Sequence, residues 1–414
     1  MLGHPVARVS AETIQIFAME SQRGEFWPRL RAVGCNIGWD FVPSISSFLT
    51  PKITSLNLTL PTESHRLLQP TLSLLTHTCR QLYSLAVDVD ASDPLSGSEM
   101  VHLISASQHT LCRIQIKSPT PPDIFPVIFN CPRLRELALR EPRLPNQIPP
   151  KTLPCLRTIS LSGNHGSNLA AFLRSLPGLS TVNITDGEPI EFSALLGSLL
   201  GTAATINELN ISPVITLDHA SITSLPSFTN LTTLIASCVC WDSEASGPCN
   251  FQATDENILA LGEALPHIRV LALGGPGCGA ACRTTFKSLI HLSRTCGSLE
   301  RLSIRVDFTS IIHDPDQLNR DNASQEINGA RPQRAVNRLG TLAVGDSPLP
   351  NASRCEWVVA LALVGIFPSI TSLLFSCPES VQKRRWGGVK KNILVCKKIL
   401  HIAQLIGKCP ITHA

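Results

Sequence analysis

The chain has 414 residues, 43% of them hydrophobic and 16% charged, with a net charge of +4. That composition gives enough apolar material for a core and excludes a charge-dominated disordered polypeptide. The start lacks an uninterrupted apolar run, because Arg8, Glu12, Glu20, Arg23 and Glu25 punctuate the first 25 residues, so an intracellular protein is expected, cytoplasmic or nuclear.

In chain order, residues 1–48 read as an N-terminal cap and entry segment. From there a six-residue phrase recurs twelve times: an aliphatic residue, two free positions, an aliphatic, one free position and a third aliphatic. The phrases start at Ile53, Leu82, Leu111, Leu134, Leu156, Leu179, Ile206, Leu231, Ile268, Leu299, Leu339 and Ile370. Steps between starts run from 22 to 40 residues with a mean of about 29, at the long edge of the leucine-rich-repeat range. Within each phrase the last two aliphatics alternate with polar or small residues, the period of a strand with one buried face.

The segments between phrases read mostly as amphipathic helices. In 254–264, Thr254 or Asp255 can cap, Ile258, Leu261 and Leu265 share a face, and Pro266 stops the helix. Residues 140–155 hold five prolines and leave room only for an extended or 3₁₀ crossing. Insertions at 237–253 and 312–336 account for the 37- and 40-residue steps. A single strand and helix of this size cannot bury a face alone, so neighbouring units must stack. The expected fold is therefore α/β: a leucine-rich-repeat solenoid over 49–378, a curved horseshoe of about twelve repeats. Parallel strands would line its concave face, and helices or loops its convex face.

The 15 cysteines are an odd number in an intracellular chain and read as reduced, buried thiols. Cys79, Cys131 and Cys296 each precede a phrase by three residues, where a helix turns into a strand. The uncharged run Trp357–Pro378 approaches spanning length, but Pro368 divides it, and it reads as a buried helix plus strand, so no membrane partner is expected. The basic segment 379–414 carries Lys383, Arg384, Arg385, Lys390, Lys391, Lys397, Lys398 and Lys408 with no acid after Glu379, which is +8 in a chain whose total is +4. It reads as a terminal helix with a basic face; the alternative is a nuclear-import signal or nucleic-acid contact at Lys383–Lys391.

Phrases such as Phe129-Asn130-Cys131-Pro132-Arg133-Leu134, and the segments Trp27–Val33 and Phe48–Leu56, resemble the leucine-rich-repeat domain of F-box-like proteins of mushroom-forming fungi. That resemblance implies a repeat domain that receives a substrate, preceded by an F-box that docks the Skp adaptor of a cullin-RING ubiquitin ligase. The nearest F-box candidate, Ser10–Phe17, lacks the Leu-Pro start, so the F-box is absent or truncated and no F-box residue carries over.

No phosphate-binding loop, His-Glu-x-x-His or Gly-x-Ser-x-Gly occurs, so neither an enzyme nor a cofactor is expected. Gly274–Gly279 reads as a turn. Cys238, Cys240, Cys249, Cys278 and Cys282 lack the paired Cys-x-x-Cys spacing of a zinc site, so no metal is expected. What remains is the concave wall, where the free strand positions carry Ser, Thr, Asn and Ala with charges at Asp88, Arg113, Lys117, Glu136, Arg140, Glu208, Arg301 and Arg305. The expected function is non-enzymatic recognition of a protein partner on that wall. The alternatives are a ubiquitin-ligase subunit with a divergent F-box at residues 8–22, and a nuclear or nucleic-acid-associated factor acting through the basic tail.

Overall fold

The structure is a computed structural model that describes residues 30–36, 49–60, 65–89, 97–149, 152–165, 167–188, 190–212, 214, 219–237, 253–274, 283–312, 338–345, 347–350, 355–375 and 380–408. The segment 8–22, Trp27, the two insertions apart from Ser237, Ala253 and Ile312, Gly275–Gly279 and the five cysteines weighed for zinc lie outside the described residues. The chain divides into two compact units, Met1–Glu188 and Pro189–Ala414.

The first unit holds seven parallel strands: β1 (Ala32–Asn36), β2 (Ser55–Leu60), β3 (Ser84–Val89), β4 (Arg113–Pro119), β5 (Glu136–Arg140), β6 (Thr158–Ser162) and β7 (Thr181–Thr185). Helices α1 (His65–Thr78), α2 (Gly97–Ser107), α3 (Phe125–Phe129) and α4 (Leu169–Arg174) connect them. The proline-rich crossing between β5 and β6 has no helix among its described residues. In the second unit β8 (Glu208–Ile211), β9 (Thr233–Ala236), β10 (Val270–Leu273), β11 (Arg301–Ile304), β12 (Thr341–Ala343) and β13 (Ser372–Leu374) are again parallel. Its helices are α5 (Phe192–Leu199), α6 (His219–Ser224), α7 (Asp255–Ala264), α8 (Phe286–Thr295), α9 (Cys355–Ile366) and α10 (Ser380–Lys408).

The phrase sets the register. Its middle aliphatics face each other along the first sheet as Leu56, Leu85, Ile114, Leu137, Ile159 and Val182, and along the second as Leu209, Leu234, Leu271, Leu302, Leu342 and Leu373. Every phrase aliphatic except Phe375 is buried. A slip of one residue would turn that whole set to solvent, which is why the register is sharply specified. At the starts of β2–β7 and β9–β13 one carbonyl takes two donors: Arg31 O accepts from Thr54 N and Ser55 N, and Asn207 O from Thr232 N and Thr233 N.

Among the described residues thirteen strands stand where the sequence shows twelve phrases. The extra one, β1, carries a weaker phrase, Leu30/Val33/Cys35, in which a cysteine takes the last aliphatic place. Cysteine falls outside a pattern defined by large aliphatics.

Helix α7 starts at the cap expected of it. Thr254 Oγ1 accepts from Asn257 N, Asn257 Oδ1 accepts from Thr254 N, and both together form a capping box. Asp255 does a different job. Its carboxylate accepts from Thr285 N (2.7 Å), Thr285 Oγ1 (2.7 Å) and Ser288 Oγ (2.5 Å), fastening the start of α8 to the start of α7. An anion is favoured there because helix N-termini present unpaired N–H groups.

Cys79, Cys131 and Cys296 are fully buried, and burial pushes the Cys79 thiol up to about 11 and the Cys131 thiol up to about 12. Both stay protonated near neutral pH and act as packing groups, since the nucleophile and metal ligand is the thiolate.

Candidate functional site

In the first unit the free positions of β3 to β7 share one outward face. Because the strands are in register, residues at equal places in successive phrases become neighbours. Arg113 and Glu136 both lie two residues after a phrase start and pair across β4 and β5. Their side chains form a two-pronged ion pair, Arg113 Nε to Glu136 Oε2 at 2.6 Å and Nη2 to Oε1 at 2.7 Å. The hydrogen bond to Glu136 is the main reason the Arg113 guanidinium is held above its usual range. Lys117 and Asp88, each six residues after a start, meet at 3.2 Å across β4 and β3. Arg140 lies 3.6 Å from Glu141, the next residue, which takes a left-handed backbone (φ 44°) where the chain leaves β5.

Five of the eight wall residues singled out by sequence therefore gather on this face, and each is paired with an opposite charge, Arg140 with Glu141 and the other four among themselves. Asp88, Lys117 and Arg140 line a depression of about 390 Å³ together with Gln115, Ala138, Ser160, Ser162, Asn183 and Thr185, and the Arg113–Glu136 pair lies on the same face outside that lining. Asn183 Nδ2 donates to Ser160 Oγ at 3.2 Å, which holds two of these short side chains flat. In sequence the floor is only a scatter of uncharged free positions on β4 to β7; the volume above it depends on the neighbouring strands.

The other three wall residues are in the second unit. Glu208 and Arg301 are exposed and form no ion pair among the described residues. Arg305 is half-buried, and its carbonyl accepts from Thr284 Oγ1 at 2.9 Å. On this face Ile235, Val270 and Ala272 occupy free positions of β9 and β10, so it is more apolar than the face of the first unit.

Beyond β6 the chain turns through Gly163 (φ 82°) to His165. A side chain on Gly163 would put its Cβ 2.5 Å from Glu141 Cγ, and one on Gly187 would lie 2.5 Å from Gly163 O and 3.1 Å from His165 Nε2. His165 is 4% exposed, and neither ring nitrogen has a hydrogen-bond partner among the described residues. Burial drops its pKa to about 4, with the charge of Glu188 opposing. Nothing in the sequence pattern separates it from the other eleven of the twelve histidines.

The basic segment forms α10, and its cations have unlike roles. Lys383, Arg384, Lys390 and Lys391 are exposed. Arg385 is largely buried: it donates to Glu356 Oε1 at 3.1 Å and to the Pro350 carbonyl, tying α10 to α9. Trp386 is fully buried, donates from Nε1 to Ser347 O at 2.9 Å, and meets the Phe308 ring edge-on at 5.3 Å.

Helical spacing offers Leu394 (59% exposed), Ile399 (51%) and Leu400 (41%) as packing residues of α10, and the uncharged run includes Trp357 and Leu361 in a buried helix, but all five face solvent. Each helix is apolar on more than one side, and only one of those sides packs against its unit.

Among the described residues no group of three His, Cys, Asp or Glu side chains could hold a metal ion, and no helix is long and apolar enough to cross a membrane. One in-register strand per turn, with helices or short crossings between, defines the class: each unit is an α/β leucine-rich-repeat solenoid. No family model matches the chain, and no curated protein matches it. Among solved structures it is similar to an internalin (inlF) from Listeria monocytogenes str. 4b F2365, at 12% identity over 88% of each chain with a TM-score of 0.43.

Proposed function

We propose that the chain is a non-enzymatic recognition module whose outward sheet face in the first unit receives a protein partner. The observation that carries this reading is the depression over Ala138, Ser160 and Asn183, lined by the Lys117–Asp88 pair and Arg140, with the Arg113–Glu136 pair on the same face. Short side chains let another surface approach the sheet closely. Paired charges at the rim give register and selectivity without the cost of burying a lone ion.

Ser160→Arg with Asn183→Arg fills the floor and leaves the buried aliphatics alone. Binding that depends on this face falls at least tenfold if the inserted side chains cost about 2 kcal/mol or more, as hot-spot changes do. The assay is quantitative affinity capture of the full chain, compared with a control pair on α2, Ser98→Arg and Val101→Arg. Equal capture by parent, face variant and control rules the face out.

The finer reading is a substrate receptor of an SCF-type ubiquitin ligase, inside the cell, with residues 8–22 as the adaptor contact. It is supported by the F-box-like resemblance of the repeats alone. Co-purification with the Skp adaptor that is lost on deleting residues 8–22 supports it; absence of the adaptor from the purified complex removes it and leaves the recognition module standing.

A further inference from the structure

Helix α10 presents two unlike faces. Inward, Trp386, Val389, Ile393 and Cys396 are buried. Outward, Lys391, Leu394, Val395, Lys398 and Ile399 succeed one another at steps of three, one, three and one, so they form a single stripe. Leu394, Val395 and Ile399 are 59, 39 and 51% exposed, beside Lys390, Lys391 and Lys398, and no acidic residue occurs between Ser380 and Lys408.

We infer that this outward stripe seats on an anionic lipid surface. The aliphatics stand on the outside of a helix and interleave with lysines along its length, which suits a planar, negatively charged boundary between headgroups and acyl chains. Lysine ammonium groups are compact charges on flexible stems and reach headgroups while their carbon chains lie along the apolar layer. The helix lies on the surface and does not span it, in keeping with the absence of a spanning helix among the described residues. The sequence expectation of no membrane partner weighs only a spanning segment. This inference does not depend on the sheet face of the first unit.

The test is sedimentation of the full chain with phosphatidylcholine vesicles, alone or containing about one-third phosphatidylserine. Binding is expected to the mixed vesicles only, and to weaken as salt rises from roughly 0.1 to 0.5 M. Lys391→Gln with Lys398→Gln lowers affinity by about tenfold or more, at about fivefold for each lysine near the surface. Leu394→Ser with Ile399→Ser lowers it to a similar extent. Both pairs are exposed, so unfolding midpoints stay at the parent value and report that the fold is intact. No binding to the mixed vesicles overturns the inference, as does binding that neither pair weakens. Binding lost with the lysines but kept with the aliphatic pair reduces it to loose attraction and overturns insertion. A dimer in sedimentation equilibrium that the aliphatic pair converts to monomer, without vesicle binding, overturns it in favour of a second copy, and capture of an acidic protein in place of vesicles overturns it in favour of that partner.

Discussion

Replacing His165 with leucine is expected to reduce the acid sensitivity of the first unit. The imidazole is enclosed, lacks hydrogen-bond partners among the described residues, and has its pKa lowered by burial from 6.5 to about 4. Between those two values the unfolded chain holds a proton at this position and the folded chain does not, so unfolding free energy rises with pH across that window. Stability contributed by the neutral ring is intact above pH 6.5 and is lost as pH falls toward 4. One proton gives a slope of about 1.4 kcal/mol per pH unit, and the full window is worth about 3 kcal/mol. The Glu188 charge acts in the opposite sense and keeps the window from being wider. His165→Leu keeps an apolar group in the cage beside Gly187 and removes two unpartnered nitrogens, so at pH 7.5 it is at least as stable as the parent. Urea denaturation of parent and variant from pH 7.5 down to 4 gives the two curves. They should diverge by about 3 kcal/mol toward acid, with the parent falling faster. Parallel curves would falsify the assignment of a neutral, caged His165.

Packing and polar contacts set three further outcomes. Trp386→Ala deletes a fully buried indole and its bond to Ser347 O, and should cost about 3–5 kcal/mol, with α10 becoming open to lysine-directed proteolysis at Lys390 and Lys391 before the rest of the chain. Asp255→Ala strips three hydrogen bonds from the start of α8 and should cost about 2 kcal/mol by thermal denaturation, whereas Thr254→Ala loses only the α7 cap, at about 1 kcal/mol. Gly163→Ala places a Cβ against Glu141 at a left-handed position and should cost about 1–3 kcal/mol, while Gly197→Ala, with nothing near its Cβ, is neutral or stabilising; thermal denaturation of the two variants separates them.

Much of the first unit's face is legible in the sequence. Period two decides which side of a strand each residue takes, and equal phrase position decides which residues become neighbours, so Arg113 with Glu136 and Asp88 with Lys117 are adjacent in principle once the phrases are aligned. Strand β1 escapes the pattern because Cys35 fills an aliphatic place. His165 escapes it because it lies beyond a strand, where no period applies and burial depends on the turns through Gly163 and Gly187.

Helix α10 shows why periodicity alone does not choose its buried side. Its aliphatics occur around most of the helix, so several rotations would bury a comparable apolar area. The choice is made by polar bonds and ring contacts on one side: Trp386 reaches Ser347 O through Nε1 and lies edge-on to Phe308 and stacked on Phe375, and its neighbour Arg385 bonds Glu356. A buried indole N–H without an acceptor would cost about 1–3 kcal/mol, which outweighs the small difference between rival apolar faces. With Trp386 fixed inward, Val389, Ile393 and Cys396 take the same side by helical spacing, and Lys391, Leu394, Val395, Lys398 and Ile399 are left to face out. The outward stripe is thus set by an anchor about two turns from the start of the helix. A substitution at Trp386 should therefore alter vesicle binding even though its own side chain never reaches the surface.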